Sequence, residues 1–491
     1  MQSFHPGRLV MVDIPGTQLS EGTAAFLRRH HIRAVCLFRR NLGSAEEVIA
    51  LTRALRAVMG EGALIGLDQE GGAVVRSTFL PQAPSAMALG AAGSDPLARE
   101  VGAAVARGLK SLGINWNFAP VADVNNNPAN PVIAERSFGE DPYTVLRLAG
   151  AWMQGSLAEG VACCVKHFPG HGDTHVDSHL ALPSVDKPRD ELELMELLPF
   201  KALQGIAPSV MTAHIVYPQL DAEHPATLSK AILGGILRKE WGYDGVVITD
   251  ALMMKAIAER YGHAKAAVMA VDAGADLVLA QGSEAEQEAA IAALQSAFAD
   301  GRLTAAQGQR AMARLDTLAA RYPVQHAEYA STLHEADDAL MHRAWAAGLT
   351  ALQGATPPAP GEPLRVIVQA EVPTDQVSEA GPGSDAVLAM FKGFADVRTL
   401  VLPDLATLNW QQLPQDGRRA VLVSTRRDRY GATAAGWHPD LHIVLWNPFQ
   451  ALDIAAPTLL AWGYADGALA AVQQWLEGRA TAPGRALPSL A

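Results

Sequence analysis

The sequence predicts an α/β fold: a (β/α)8 TIM-type barrel followed by a smaller α/β domain of the αβα-sandwich kind. Eight short apolar runs recur between residues 9 and 280, most of them followed by a longer stretch with helical periodicity. Several runs end on a polar or ionisable residue, as barrel strands do where their C-terminal ends share one mouth. Past residue 322 the alternation lapses, and it resumes only after a break marked by Pro357, Pro358, Pro360 and Pro363. An open doubly wound sheet is the alternative, because periodicity alone does not decide closure.

The runs follow in order. Residues 9–14 precede a helical stretch at 20–30, and 34–38 precede one at 44–59, opened by Ser44 as N-cap with Glu46 and Glu47 in its first turn. Residues 63–67 end at Asp68, with their helix delayed to about 95–112. Residues 115–121 lead to Asp123, a long loop at 125–141 and a helix at 143–159. Residues 161–165 read as a strand buried on both faces, and a helix at 189–204 follows the polar segment after it. Residues 209–213 end at His214 before a helix at 229–241, and 245–249 end at Asp250. Residues 275–280 make the eighth run, with helices at 284–299 and 305–321. A helix at 335–352 and five runs at 365–370, 397–402, 420–424, 443–446 and 458–462 build the remainder. The expected division is 1–325 for the barrel, 326–362 for a linker and connecting helix, and 363–491 for the small domain.

Composition narrows the function. A net charge of −12 disfavours a nucleic-acid backbone as partner. No run approaches the roughly 18 apolar residues that a membrane helix needs, and the first residues show no export signal, so a cytoplasmic protein without a membrane partner is expected. Cys36, Cys163 and Cys164 each lie in an apolar run and read as reduced core residues. No glycine-rich phosphate loop opens a helix of the second domain, and no cofactor is expected.

The chemistry concentrates in residues 166–179, KHFPGHGDTHVDSH. A solvated loop has no structural need for four histidines. In a barrel this loop shares its mouth with Asp68, Asp123, Arg136, His214 and Asp250. Such a set suits glycosidic hydrolysis, with one carboxylate as nucleophile and a proton donor opposite, or a metal-dependent hydrolase on His167, His171, Asp173, His175 and His179. Asp177 and His179, two apart in extended chain, project to one side, so the carboxylate can fix the imidazole tautomer.

Four motifs carry a resemblance: DQEGG at 68–72, APVADVNNNPANPVIAERSFGEDP at 119–142, KHFPGHGDTHVDSH at 166–179 and ITDALMM at 248–254. In them the chain resembles the bacterial β-N-acetylhexosaminidases of glycoside hydrolase family 3, the NagZ type. The resemblance implies Asp250 as the nucleophile of a covalent glycosyl-enzyme and His179, paired with Asp177, as acid and base. It implies that Asp68, Arg136, Lys166 and His167 hold the hydroxyls and acetamido group of N-acetylglucosamine, with Arg76, His214 and Met254 completing the substrate-binding set. It further implies retention of configuration, no metal, a small carbohydrate substrate, a monomer or weak homo-oligomer, and a place in peptidoglycan turnover. A β-glucosidase of the same family is the nearer rival, though the complete DSH triplet argues for the acetamido sugar. One departure stands out: many relatives carry a basic residue after the glycine pair, where this chain has Ala73, with Arg76 nearby. Gly170 and Gly172 are expected to act as hinges that let the loop close over bound sugar.

Overall fold

The computed structural model describes residues 4–491 apart from 373, 375, 376, 379 and 380. Eight parallel strands form the first sheet: β1 (Val10–Asp13), β2 (Ala34–Cys36), β3 (Leu64–Leu67), β4 (Trp116–Asn117), β5 (Ala162–Phe168), β6 (Ser209–Thr212), β7 (Val246–Ile248) and β8 (Val278–Ala280). They run in the order β7-β6-β5-β4-β3-β2-β1-β8, and a parallel bridge between Ile248 and Leu277 joins the two ends. The sheet is therefore a barrel, and the open-sheet alternative falls. Almost every strand residue is buried, since helices cover the outside and side chains fill the inside.

Local chemistry accounts for the main departures from the expected elements. β4 keeps only two ladder residues because Pro120 has no N–H to donate, and the segment rejoins its neighbour through a bridge from Val121 to Lys166. The single helix expected at 189–204 is two, Arg189–Leu194 and Leu197–Leu203. Between them Glu196 turns inward to accept from Lys187 at 2.6 Å and Asn126 at 3.0 Å, and Pro199 is tolerated because it falls in the first turn of the second helix. Two further helices, Lys255–Tyr261 and His263–Ala273, bridge β7 and β8.

The second sheet takes the order β11-β10-β12-β13-β14-β9, from β9 (Thr350–Leu352), β10 (Leu364–Gln369), β11 (Val397–Leu402), β12 (Arg419–Ser424), β13 (Leu441–Val444) and β14 (Thr458–Leu460). Five strands are parallel, and β9 lies antiparallel to β14. Periodicity had assigned residues 350–352 to the preceding helix. That helix stops at Gly348 instead, because the next residues complete the edge of a sheet whose partner lies about a hundred positions downstream.

The two sheets share an apolar seam. Trp345, on the helix Ser331–Gly348, packs among Met87, Ala88 and Ala91 of the barrel side and Phe449 and Trp462 of the other, and its indole N–H donates to the Gln82 carbonyl at 3.1 Å. Trp446 reaches from the second domain to donate to Glu135 at 2.8 Å. A buried tryptophan this large leaves a cavity that the neighbours fill only in part, so Trp345→Ala should cost about 3–5 kcal/mol, seen as a lower denaturant midpoint. A midpoint equal to that of the native protein would show that the seam carries little stability.

Candidate active site

A cavity of about 450 Å3 occupies the C-terminal mouth of the barrel. Asp68, Arg76, Arg136, Lys166, His167, His179, Asp250 and Met254 all line it, so residues spread over 186 positions, from 68 to 254, meet around one space. Asp177 stands one step back and holds His179. His214 does not line the cavity: it is fully buried behind it, with Nδ1 at 2.8 Å from the Thr227 hydroxyl and Nε2 at 3.0 Å from the Ala251 carbonyl.

Charge pairing organises one wall. The Lys166 ammonium, 2 % exposed, sits 2.6 Å from both Asp68 and Glu70. Glu70 in turn accepts two hydrogen bonds from Arg136 at 2.8 and 2.9 Å, a bidentate fork. Burial alone would raise the Glu70 carboxyl, but Arg136 and Lys166 outweigh it and hold the group well below the usual carboxylate range. Lys166 and Arg136 are driven up by the same carboxylates against their own desolvation. Arg76 stands 3.5 Å from Asp68 and donates to the Val377 carbonyl at 3.0 Å, so the second domain contributes to this wall.

β5 reaches the cavity with two adjacent side chains. Its register against β6 slips between Val165 and Phe168, three steps on one strand facing two on the other, which is a β-bulge. A regular strand would send Lys166 and His167 to opposite faces; here both line the cavity. His167 is fixed from behind by Asp123, which takes its Nδ1–H at 2.7 Å and its backbone N–H at 3.0 Å.

The loop beyond β5 is pinned rather than free. Asp123 also accepts the His171 N–H at 2.7 Å, and Asn130 donates to the His171 carbonyl at 2.8 Å. A Cβ on Gly172 would lie 1.6 Å from the Val124 carbonyl oxygen, and Gly170 adopts φ +138° with Glu196 packed against it. These glycines are close-packing positions, which corrects their expected reading as hinges. The loop carries His179 into the cavity wall with Nδ1 at 2.8 Å from Asp177, whose second contact is the His179 N–H at 2.9 Å. Asp177 is held below the ordinary range: burial would raise it, and the two bonds from His179 prevail.

On the far side stands Asp250. Burial favours its neutral form, yet His214, His167, His179 and the Ala251 N–H at 2.8 Å together hold the carboxyl at about 2. It is a carboxylate at any physiological pH.

The loop histidines do not converge on a metal. Both nitrogens of His171 are engaged, by Thr174 at 3.0 Å and Ser178 at 2.9 Å, while His175 is exposed beside Asn127. Among the described residues no cluster of three or more His, Cys, Asp or Glu side chains could hold a metal ion.

Sequence reasoning passed over Glu70, although it lies in the quoted DQEGG. Its place two residues beyond Asp68 in an extended segment was the available signal. Phe38, Phe118, Met253 and Gln281 also line the cavity and carry no signal in sequence beyond following a strand. Ala73 is buried against Val372 and Trp446, under the second domain, and Arg76 supplies the nearby cation.

Residues 5–318 match the family model described as glycosyl hydrolase family 3 N terminal domain. A β-hexosaminidase A from Pseudoalteromonas piscicida is 38% identical over 353 residues, covering 66% of this chain and 58% of that protein. A β-hexosaminidase from Alkalilimnicola ehrlichii is 39% identical over 279 residues, 55% of this chain and 79% of its own length. The glycoside hydrolase family 3 β-N-acetylglucosaminidase structure from Paenibacillus sp. str. FPU-7 superposes with a TM-score of 0.89 at 34% identity, covering 98% of this chain and 97% of that one.

Acid should weaken the fold through its buried, neutral histidines. Burial lowers His171 to about 4, so the folded state refuses a proton that the unfolded chain takes near 6.5. Its contribution is constant above about pH 6.5 and is lost as pH falls toward 4, on the order of 3 kcal/mol in total. His442 in the second sheet, lowered to about 3, acts with the same sign. Denaturant midpoints between pH 7 and 4.5 should therefore fall, and His171→Asn should flatten part of that slope; an unaltered slope would show that His171 is not the group titrating.

Proposed function

The chain belongs to glycosyl hydrolase family 3, and from that premise we propose that it is a retaining β-N-acetylglucosaminidase acting on terminal, non-reducing β-linked N-acetylglucosamine. The observation that carries this reading is a half-buried carboxylate, Asp250, lining one cavity together with His179, the tip of a carboxylate-anchored loop.

The steps follow from the groups. Asp250, ionised at about 2, attacks the anomeric carbon as the bond to the leaving oxygen breaks. His179, its Nδ1–H engaged by Asp177, donates the proton on Nε2 to that oxygen. The neutral imidazole then takes a proton from water, which attacks the same carbon and releases Asp250. Two inversions at one carbon give net retention. Asp177 keeps the ring oriented and stabilises its protonated form. Asp68, Lys166, Arg136, Arg76 and His167 are the groups that hold the ring hydroxyls and acetamido group, because fixed charged donors and acceptors give the orientation a polyhydroxylated ring requires. Glu70 sets the Lys166 and Arg136 geometry.

Peptidoglycan fragments are one source of such glycosides, and a cytoplasmic setting belongs to this reading. Three buried, free thiols support it. Among the described residues no helix is long and apolar enough to cross a membrane.

Asp250→Ala should lower kcat on an aryl N-acetylglucosaminide on the order of 10⁴-fold or more with folding intact. His179→Ala should cost about 10²–10⁴-fold with poor leaving groups and far less with dinitrophenolate, which departs unprotonated. The product anomer followed by NMR should begin as β; an α-first product, or an equal loss for all leaving groups in the His179 variant, would contradict the mechanism. A native protein that prefers aryl glucosides would favour the β-glucosidase reading.

A further inference from the structure

A cavity of about 800 Å3 opens at the N-terminal end of the barrel, opposite the mouth that holds Asp250. Its walls are the segments that lead into β6 and β7, residues 204–208 and 241–245, and the helix Ala305–Arg321. None of its lining residues lines the first cavity. That end of a barrel ordinarily serves stability rather than binding. The charge of this space sets it apart.

Arg310, Arg314 and Arg321 line it from one face of the helix, at spacings of four and seven residues. Arg314 is engaged internally: it pairs with Asp244 at 2.9 Å and with Asp276 at 3.0 Å, and Asp276 also takes Arg238. Two guanidiniums and two carboxylates cancel there. Arg310 and Arg321 meet no carboxylate among the described residues, and the Arg321 guanidinium lies 5.4 Å from the ring centre of Tyr322. The cavity thus carries two uncompensated positive charges in a chain whose net charge is −12. The two arginines are separated by about 16 Å of helix axis, so they suit an elongated ligand with an oxyanion toward each end better than a single small ion. A guanidinium fork matches carboxylate and phosphate alike.

The rest of the lining is of another kind. Trp241 is half-buried and Ile206 is 45 % exposed, an apolar surface for the C–H face of a sugar ring. Gly205 and Gly242 leave the rim open, since a Cβ on either would meet nothing within 4 Å. Gln204 Oε1 is buried and has no donor among the described residues. An acceptor left in that state is costly unless an occupant supplies the O–H or N–H. A hydroxylated ligand does so; a bare oxyanion does not.

We propose that this cavity binds an acidic saccharide carrying two or more oxyanions, held by Arg310 and Arg321, with Gln204 accepting from a hydroxyl. The site shares no residue with the catalytic cavity and does not rest on the glycosidase reading. It is tested by calorimetric titration at fixed ionic strength of the native protein, Arg310→Gln, Arg321→Gln and Gln204→Leu. The probes are trigalacturonic acid, glucose 1,6-bisphosphate, the neutral maltotriose, and pyrophosphate, which has charge but no sugar. None of them is a β-N-acetylglucosaminide, so failure of the glycosidase reading would not imitate failure here. At least one of the two acidic sugars should bind the native protein roughly tenfold or more tightly than maltotriose or pyrophosphate, and which one binds identifies the oxyanion as carboxylate or phosphate. Each arginine variant should weaken that binding roughly tenfold, and Gln204→Leu should weaken it by a smaller factor. Both arginines are exposed, so their variants should keep the native denaturant midpoint. Acidic sugars that bind no better than maltotriose, or whose binding is unmoved in both arginine variants, would overturn the site. Pyrophosphate bound as tightly as the acidic sugars would overturn its saccharide character.

Discussion

The mouth of this barrel is built around charges that cannot be solvated and must therefore satisfy one another. Lys166 lies between Asp68 and Glu70, and Arg136 closes on Glu70 with both arms. Taking such groups out of water costs several kcal/mol each, and a well-packed apolar cluster would often be as stable. Their presence at the end of buried strands thus argues for binding rather than for stability. Removing any one partner would strand another, so the network has to be kept whole by its surroundings. The bulge in β5, the long segment after β4 that brings Arg136, and the Val377 carbonyl that receives Arg76 all serve that end.

The same constraint explains why the loop beyond β5 lies down on the barrel. Asp123 is fully buried and acts as a common anchor, taking two bonds from His167 and one from His171. One carboxylate thus ties a cavity residue to the root of the loop that bears His179. His171 then holds the loop's own turn through Thr174 and Ser178. Three of the four histidines have divided labour: His167 faces the cavity beside Asp123, His171 is a structural strut, and His179 lines the cavity wall under the hold of Asp177. Only the arrangement in space separates these roles, since the residue type is the same.

Much of the fold was legible because buried parallel strands leave a signal that survives without context: a short β-branched run with a polar residue at its end. The ends at Asp68, His214 and Asp250 could be read this way. What was not legible depends on partners distant in sequence. Residues 350–352 look helical until β14 is available to pair with them. Gly170 and Gly172 look like hinges until Glu196 and Val124 are brought against them. His214 looks like any other strand-end ligand, yet Thr227 and the Ala251 carbonyl occupy both its nitrogens, so it buttresses the Asp250–Ala251 segment from behind instead of entering the cavity. Glu70 was in plain view and was overlooked because an acidic residue beside a glycine pair reads equally well as a solvated turn.

The second domain changes what a barrel of this kind can do with its mouth. Ala73 could carry a side chain into the cavity only if space were left above it, and Val372 and Trp446 fill that space. The cation instead comes from Arg76, whose guanidinium is steered by the Val377 carbonyl of the same covering domain. Trp446 is committed at its other end to Glu135, next to Arg136. The domain is therefore mechanically continuous with the groups that would grip the ring, on the β3–β5 side, while the β8–β1 rim lined by Asp13 and Arg40 is built from barrel residues alone. Among the described residues the second domain covers the β3–β5 half of the mouth and leaves the β8–β1 half to barrel residues, so a ring held as proposed would be enclosed at its hydroxyl end and open toward β8 and β1 at its anomeric carbon.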